Sequence, residues 1–326
     1  MAGRLNFCHY PTTVIFIDDN QPFLDSLPLE LDESLSYLSF LEPRPALDYI
    51  NAEKHRPMAG LSYIQHSGSE DLDVRIELQA IIEKINDDSR FQEPSVIVAD
   101  YDLPVMDGLE VCRKIDDPCI KKVLLTGVAD ECVGVAALND RIIDYYIKKS
   151  TPNMFTKLNS VIRGLQTGYF NDATYSIRET LEIEYSFFSD PVFIDYFAEI
   201  CKKLDVVEYY FTPAPQGFLM VTASGELSNL IIYSEDDINS HCDVASDHNA
   251  PEALIAKIRS RQWLPFFYES NDGYYQSNIT GWEKSLLPTV HLAGEKNNYY
   301  CAQAPSMVKM PQPMMSYRRH LREVAA

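Results

Sequence analysis

Asp18, Asp19, Asp100, Thr126 and Lys149 are the residues of this 326-residue chain whose types and placement could do chemistry. Each follows or closes a short apolar run. Thr12-Thr-Val-Ile-Phe-Ile17 leads to Asp18 and Asp19, and Ser95-Val-Ile-Val-Ala99 leads to Asp100. Lys122-Val-Leu-Leu-Thr126 ends in a hydroxyl, and Asp144-Tyr-Tyr-Ile147 leads to Lys148 and Lys149. Carboxylates gathered in one crevice repel, so some protonate unless a cation sits among them. A hard divalent ion with oxygen ligands, Mg²⁺ above all, resolves that conflict and leaves positions open for phosphoryl oxygens. A carboxylate can then attack a phosphoryl donor and become an aspartyl phosphate. A metal and a lysine stabilise charge on the equatorial oxygens, and a threonine hydroxyl can bond one of them.

Gathering these residues requires a particular scaffold. The apolar runs are short, β-branched and unalternating, as strands buried on both faces are. Leu35–Phe40 reads as a further strand. Helical stretches separate the strands, among them Pro43–Ala52, with Pro near its start, and Gly108–Ile115. Strands alternating with helices imply right-handed βαβ units and a parallel sheet. In such open sheets ligands bind outside the carboxyl ends of the strands, where the five residues stand.

The set resembles the receiver domain of two-component response regulators. The stretch that carries most of the resemblance is Val96–Gly108, VIVADYDLPVMDG. It matches an acceptor aspartate, then leucine–proline, then methionine–aspartate–glycine. The resemblance implies a flavodoxin-like, doubly wound (βα)5 fold with Asp100 as phosphoacceptor. It implies Mg²⁺ held by Asp18, Asp19, Asp100 and the backbone carbonyl of Asp102. Thr126, followed by the small Gly127, matches the switch hydroxyl. Tyr146, three residues before Lys149, matches the switch aromatic, and that spacing favours Lys149 over Lys148 as the phosphate-binding lysine. Ser150 stands where the family commonly has proline. The implied partner is a sensor histidine kinase or phosphotransfer protein, with a homodimer formed on phosphorylation.

The resemblance covers about residues 11–166, so a receiver domain is expected over 1–166 and an α+β output domain over 167–326. The path from Asp19 to Asp100 exceeds a compact βαβαβ path by about forty residues. A helical insertion over about 55–94 accounts for the excess. It holds a Gly/Ser-rich piece, His66-Ser-Gly-Ser69, and an apolar stripe of Leu72, Ile76, Leu78, Ile81, Ile82 and Ile85 spaced for an amphipathic helix. After it, Met154, Phe155, Leu158, Val161, Ile162 and Leu165 mark the last receiver helix, and Asn171–Tyr185 could continue as a connector.

In the second half, Pro191–Leu204 is an amphipathic helix. Val206–Phe211, Phe218–Thr222 and Leu230–Tyr233 read as an antiparallel meander joined by Pro213–Gly217 and Ala223–Gly225. Pro251–Leu264 is helical again. The cluster Ser240–His248, with His241, Cys242, Asp243, Asp247 and His248, has metal-binding residue types in a spacing that fits no closed tetrahedral site, so a polar loop is expected. Tyr274, Tyr275, Tyr299 and Tyr300 could line a pocket or sit half-buried on strands. The meander resembles, faintly, output halves of regulators without a DNA-binding motif, including some of quorum-sensing circuits.

Composition narrows the function. The net charge is −20, and residues 151–326 alone carry 14 basic and 21 acidic groups. A nucleic-acid backbone must be met by clustered Lys and Arg, so direct DNA binding is not expected. Arg318, Arg319 and Arg322 read as a solvated terminal helix. Seven cysteines without paired spacing, and with no C-x-x-C, indicate reduced thiols. With no apolar run approaching a membrane span, a cytoplasmic protein is expected. The leading reading is a phosphorylation switch with a protein- or ligand-binding output. An unrecognised enzyme, a nucleotide-binding domain or a transcription regulator stay open for the second half.

Overall fold

The computed structural model describes residues 4–52, 64–68, 72–76, 78–127, 131–268, 270, 273–306, 308, 310 and 313–324. The chain begins with β1 (Cys8–His9), β2 (Thr13–Ile17), α1 (Gln21–Glu30), β3 (Ser36–Phe40) and α2 (Pro43–Ile50). A hairpin of β4 (Ile64–Gly68) and β5 (Leu72–Ile76) leads into α3 (Leu78–Asn86). Alternation resumes with β6 (Pro94–Asp100), α4 (Gly108–Arg113), β7 (Lys121–Thr126), α5 (Glu131–Asn139), β8 (Tyr145–Lys148) and α6 (Met154–Ala173). Helices α7 (Tyr175–Glu184) and α8 (Pro191–Leu204) precede β9 (Val206–Pro213), β10 (Gln216–Thr222) and β11 (Leu227–Tyr233). Then come α9 (Glu235–Asp247), α10 (Glu252–Arg259), β12 (Trp263–Pro265), β13 (Leu286–Pro288), β14 (Val290–Ala293), β15 (Asn298–Pro305) and α11 (Tyr317–Val324). Among the described residues no helix is long and apolar enough to cross a membrane.

Two compact units result. The first comprises Pro11–Ser62, Asp87–Tyr175 and Tyr317–Ala326; the second comprises Met1–Tyr10, Tyr63–Asn86 and Ser176–Ser316. The first is a flavodoxin-like parallel sheet in the order β3-β2-β6-β7-β8. Val14, Phe16, Val96, Val98, Val123 and Leu125 pack against Leu24 and Leu27 of α1 and Leu158 and Ile162 of α6. On the opposite face Leu124 packs with Leu109 and Cys112 of α4 and Ala137 of α5. Both faces are covered, which explains strand runs without polar alternation. The terminal helix α11 is solvated on one face only: Arg318, Arg319 and Arg322 are exposed, while Tyr317 and His320 are buried. The Tyr317 hydroxyl donates to Ser34 O at 2.6 Å and accepts from Ser36 N–H at 3.1 Å.

The second unit is a six-stranded antiparallel sheet, β1-β9-β10-β11-β15-β14, with β12 and β13 as a separate pair. Helix α8 turns Phe193, Phe197 and Ile200 inward at i, i+4 and i+7. These rings meet Phe187, Phe188, Phe211 and Phe218 on one side of the sheet. On the other side, Ile231 and Tyr300 pack with Ile238 of α9 and Leu254 and Ile258 of α10.

Four expectations change. The insertion is not one helix over Leu72–Ile85: β5 takes Leu72–Ile76, and α3 starts at Leu78 with Ile81 and Ile85 buried. The cause is legible, because Leu72, Val74 and Ile76 also alternate with period 2, and an antiparallel partner decides for strand. Residues 66–68 lie in β4, while Ser69 and residues 55–63 lie outside the described residues. The compact units also assign this hairpin and helix to the antiparallel-sheet unit and divide the chain at Tyr175/Ser176 rather than at 166/167. Ser240–Asp247 is helix, not loop, because Ser234 and Asp237 form a reciprocal capping box that starts α9 firmly. Of Pro251–Leu264 only Glu252–Arg259 is helical; Trp263 and Leu264 enter β12.

Candidate functional site

The strand ends of the parallel sheet gather the acidic set as their placement implies. Asp18 follows β2, and its Oδ1 accepts the Asn20 N–H at 3.0 Å. The Asn20 side chain in turn caps α1 by accepting from Phe23 N–H at 3.0 Å. Asp100 ends β6 and Lys149 follows β8. The Lys149 ammonium lies 2.7 Å from Asp18 Oδ2 and 2.9 Å from Asp100 Oδ1. Asp18 and Asp100 are 1% and 5% exposed, whereas Asp19 is open to solvent. One carboxylate oxygen from each of Asp18, Asp19 and Asp100 lies within 4.8 Å of the others, the one such group among the described residues.

Electrostatics mark Asp100 as held against its preference. Burial raises its pKa, the Lys149 hydrogen bond and charge pull it down, and the charges of Asp18 and Asp102 push it up again; the net shift is upward. Burial alone would lower Lys149, but hydrogen bonds and charge from Asp18 and Asp100 outweigh it, so the ammonium is held. Three carboxylates against one ammonium leave an excess of negative charge on hard oxygen donors. Asp18 Oδ2, 2.7 Å from the Lys149 ammonium, still has a lone pair for another cation. The donor set therefore fits Mg²⁺.

The loop from β6 to α4 is shaped by backbone contact. A Cβ on Gly108 would sit 2.2 Å from Asp100 O, so only glycine lets α4 start here. Gly108 N–H donates to Tyr101 O at 3.0 Å, and the Asp107 side chain caps α4 by accepting from Glu110 N–H at 2.7 Å. Val105 takes φ +73° and is fully exposed, an unfavourable conformation for a β-branched residue beside the site. Asp102 is exposed and its carboxylate lies beside Gly127.

Thr126 is fully buried; its hydroxyl donates to Gly127 O at 3.2 Å, and its carbonyl accepts from Lys149 N–H at 2.9 Å. Tyr146 points inward, packed on the layer of Leu109, Leu124, Ala137 and Ile143, with a buried hydroxyl that has no hydrogen-bond partner among the described residues. Its seat depends on Gly134 of α5, where a Cβ would lie 2.6 Å from the Tyr146 ring. Asp18, Asp19, Asp100 and Lys149 are thus brought together, while Thr126 and Tyr146 are engaged elsewhere. Two contributors have no signal of their own in the sequence. Gly134 looks like any helical glycine. Phe23, whose ring lies 5.1 Å below the Lys149 ammonium, is one apolar residue of α1 among several.

The residues His241, Cys242, Asp243, Asp247 and His248 do not converge on a metal-like group among the described residues. His241 is buried between Tyr233 and Tyr274, with ring centroids 4.8 and 4.4 Å away, and Cys242 joins the core. His248 donates from Nδ1 to Tyr275 O at 2.7 Å. Tyr299 faces the phenylalanine layer and Tyr300 the opposite layer of the sheet.

No family model matches the chain, and no curated protein does. Among solved structures it is similar to the response regulator LqsR of Legionella pneumophila. The two are 31% identical over 98% of this chain and 95% of that one, with a TM-score of 0.77. A receiver domain of the Francisella response regulator 1452 matches 48% of the chain at 16% identity and a TM-score of 0.31, covering 97% of that domain. An adenylate cyclase from Rhodopirellula baltica matches 53% at 18% identity and 0.36, covering 98% of that chain. The likeness to LqsR runs through both units at an identity that shared fold alone does not produce. The chain belongs to the response regulators of two-component signal transduction.

Proposed function

We propose that this response regulator is switched by transfer of a phosphoryl group to Asp100 from a sensor histidine kinase or phosphotransfer protein. The observation that carries the proposal is the Lys149 ammonium held between Asp18 and Asp100 at the mouth of the parallel sheet. A carboxylate oxygen of Asp100 attacks phosphorus, a P–O bond forms, and the P–N bond of the donor phosphohistidine breaks, its electron pair staying on the imidazole, which takes a proton from water and leaves neutral. Asp18, Asp19, Asp100 and the carbonyl of Asp102 would hold Mg²⁺, which supplies charge neutralisation for the phosphoryl oxygens. Lys149 then exchanges part of its contact with the carboxylates for a phosphoryl oxygen. Burial and the like charges of Asp18 and Asp102 raise the Asp100 pKa, and the doubly charged phosphoryl group that replaces its single charge would be offset by the metal and by Lys149.

The switch follows from what Thr126 and Tyr146 do now. The Thr126 hydroxyl turns from Gly127 O toward a phosphoryl oxygen, and the layer under Tyr146 repacks around it. The antiparallel-sheet unit serves as the output, with a protein or ligand as its target and a homodimer as the assembled form. Incubation with acetyl phosphate and Mg²⁺, followed by intact mass, tests this. One phosphoryl adduct is expected for the wild type and none for Asp100→Asn or with a chelator. Light scattering on the same samples reads assembly. An adduct that persists in Asp100→Asn or without metal would overturn the proposal.

A further inference from the structure

We infer that the second unit carries a binding site for a small organic cation, in a cavity of about 390 Å³ between β11, α9 and the chain that follows β12. The volume lies in the range of small-molecule sites. Its walls are aromatic: Tyr233, Phe266, Tyr268 and Tyr274 line it, with His241 stacked between Tyr233 and Tyr274. The faces of such rings carry negative potential and attract ammonium groups, most strongly when water is excluded.

The charged lining is one-signed. Asp237 contributes a carboxylate, and no lysine or arginine lines the cavity among the described residues. The Asp237 side chain spends only Oδ2 on the α9 cap, accepting there from the N–H and hydroxyl of Ser234 at 2.7 Å each. Oδ1 has no partner among the described residues and is available to a cation. Its charge is felt locally: burial, then Asp237, hold the Tyr233 hydroxyl well above the ordinary tyrosine range. A phosphate-bearing ligand would meet carboxylate and ring faces with no cation to neutralise it. A neutral ligand would leave Asp237 beside an apolar wall without compensation. An alkylammonium satisfies both walls at once, and the imidazole of His241 gives a ligand hydroxyl a polar neighbour.

The test is calorimetric titration of the full chain with tetramethylammonium, choline and benzyltrimethylammonium, which bracket the cavity in size. The control is 3,3-dimethylbutan-1-ol, the uncharged isostere of choline. At least one cation is expected to bind saturably, with choline at least tenfold tighter than its isostere. Tyr274→Leu and Asp237→Asn are each expected to weaken binding about tenfold or more. Tyr274 is half-buried, so its replacement tests the site even if the capping role of Asp237 makes the other variant unfold. No saturable binding by any of the three cations overturns the inference, as does equal binding of choline and its isostere or wild-type affinity in Tyr274→Leu.

Discussion

Asp100 of the parallel-sheet unit and Asp190 of the antiparallel-sheet unit are both buried carboxylates, and they are treated in opposite ways. Asp190 stands at the start of α8 with no exposure, accepting from Val192 N–H at 3.0 Å through Oδ1. Its Oδ2 accepts from Lys296 N–H at 3.2 Å and from the Tyr299 hydroxyl at 3.1 Å. Burial raises its pKa, but the N–H groups of Lys296 and Glu295, with Tyr299 and Val192, bring the net shift below the ordinary value. Asp100 has one ammonium and two repelling carboxylates, and its shift is upward. A carboxylate wrapped in neutral donors is a staple, here fastening the β14–β15 hairpin to a helix. One left short of donors among like charges is held in an ionised form that its surroundings disfavour. Burial alone separates neither case; the partners do.

The largest effect expected from breaking this contrast is at Lys149. Lys149→Met removes the ammonium shared by Asp18 and Asp100, and phosphorylation by acetyl phosphate should slow by about a hundredfold or more, read as adduct formed against time. If the rate is unchanged, the ammonium is not part of the chemistry.

Next come opposite stability changes at the two aspartates. Asp190→Ala strips these donors of their acceptor and should destabilise by about 2–3 kcal/mol in urea unfolding. Asp100→Asn removes a repelled charge and should leave stability unchanged or raise it by about 1 kcal/mol. Equal losses at both positions would erase the distinction.

Acid sharpens it further. The folded pKa of Asp190 is depressed, so its contribution is full above the unfolded carboxylate value and is lost as pH falls through the folded value. The folded pKa of Asp100 is raised, so its ionised form opposes folding above that value. That penalty is relieved as pH falls from the folded pKa toward the unfolded one. Urea midpoints of Asp100→Asn and wild type should therefore converge as pH drops from about 7 toward 4, while Asp190→Asn converges with wild type only at still lower pH.

The smallest effects lie at the aromatic seat. Tyr146→Phe deletes a buried hydroxyl that has no partner among the described residues and should stabilise by about 0.5–1 kcal/mol. Gly134→Ala should destabilise by about 1–3 kcal/mol by overpacking the ring, with a changed Tyr146 environment in aromatic NMR spectra. A silent Gly134→Ala would mean that the ring does not rest there.

The legible and illegible parts of the molecule divide along the same line. Strand runs ending in Asp18, Asp100 and Thr126 declare a parallel sheet, because burial on both faces leaves no room for polar alternation and confines polarity to the ends. Helix α8 and the β9–β11 meander are legible through period and turn chemistry. Leu72–Ile76 misleads because an i, i+4 apolar pair is also an i, i+2, i+4 series, and only the partner strand resolves it. Ser240–Asp247 misleads because its residue types favour loops while a capping box six residues upstream sets the helix. Asp190 signals only its local cap on Val192; its other donors come from 106 and 109 residues away, on Lys296 and Tyr299.

The account rests most directly on the chemical identity of the phosphorylated atom. Borohydride reduces an aspartyl phosphate to homoserine, so the phosphorylated chain can be trapped, digested and its peptides weighed. The account predicts homoserine at position 100 and at no other aspartate, including Asp18, Asp19 and Asp102. Homoserine at one of those positions, or an adduct that resists borohydride altogether, would contradict it.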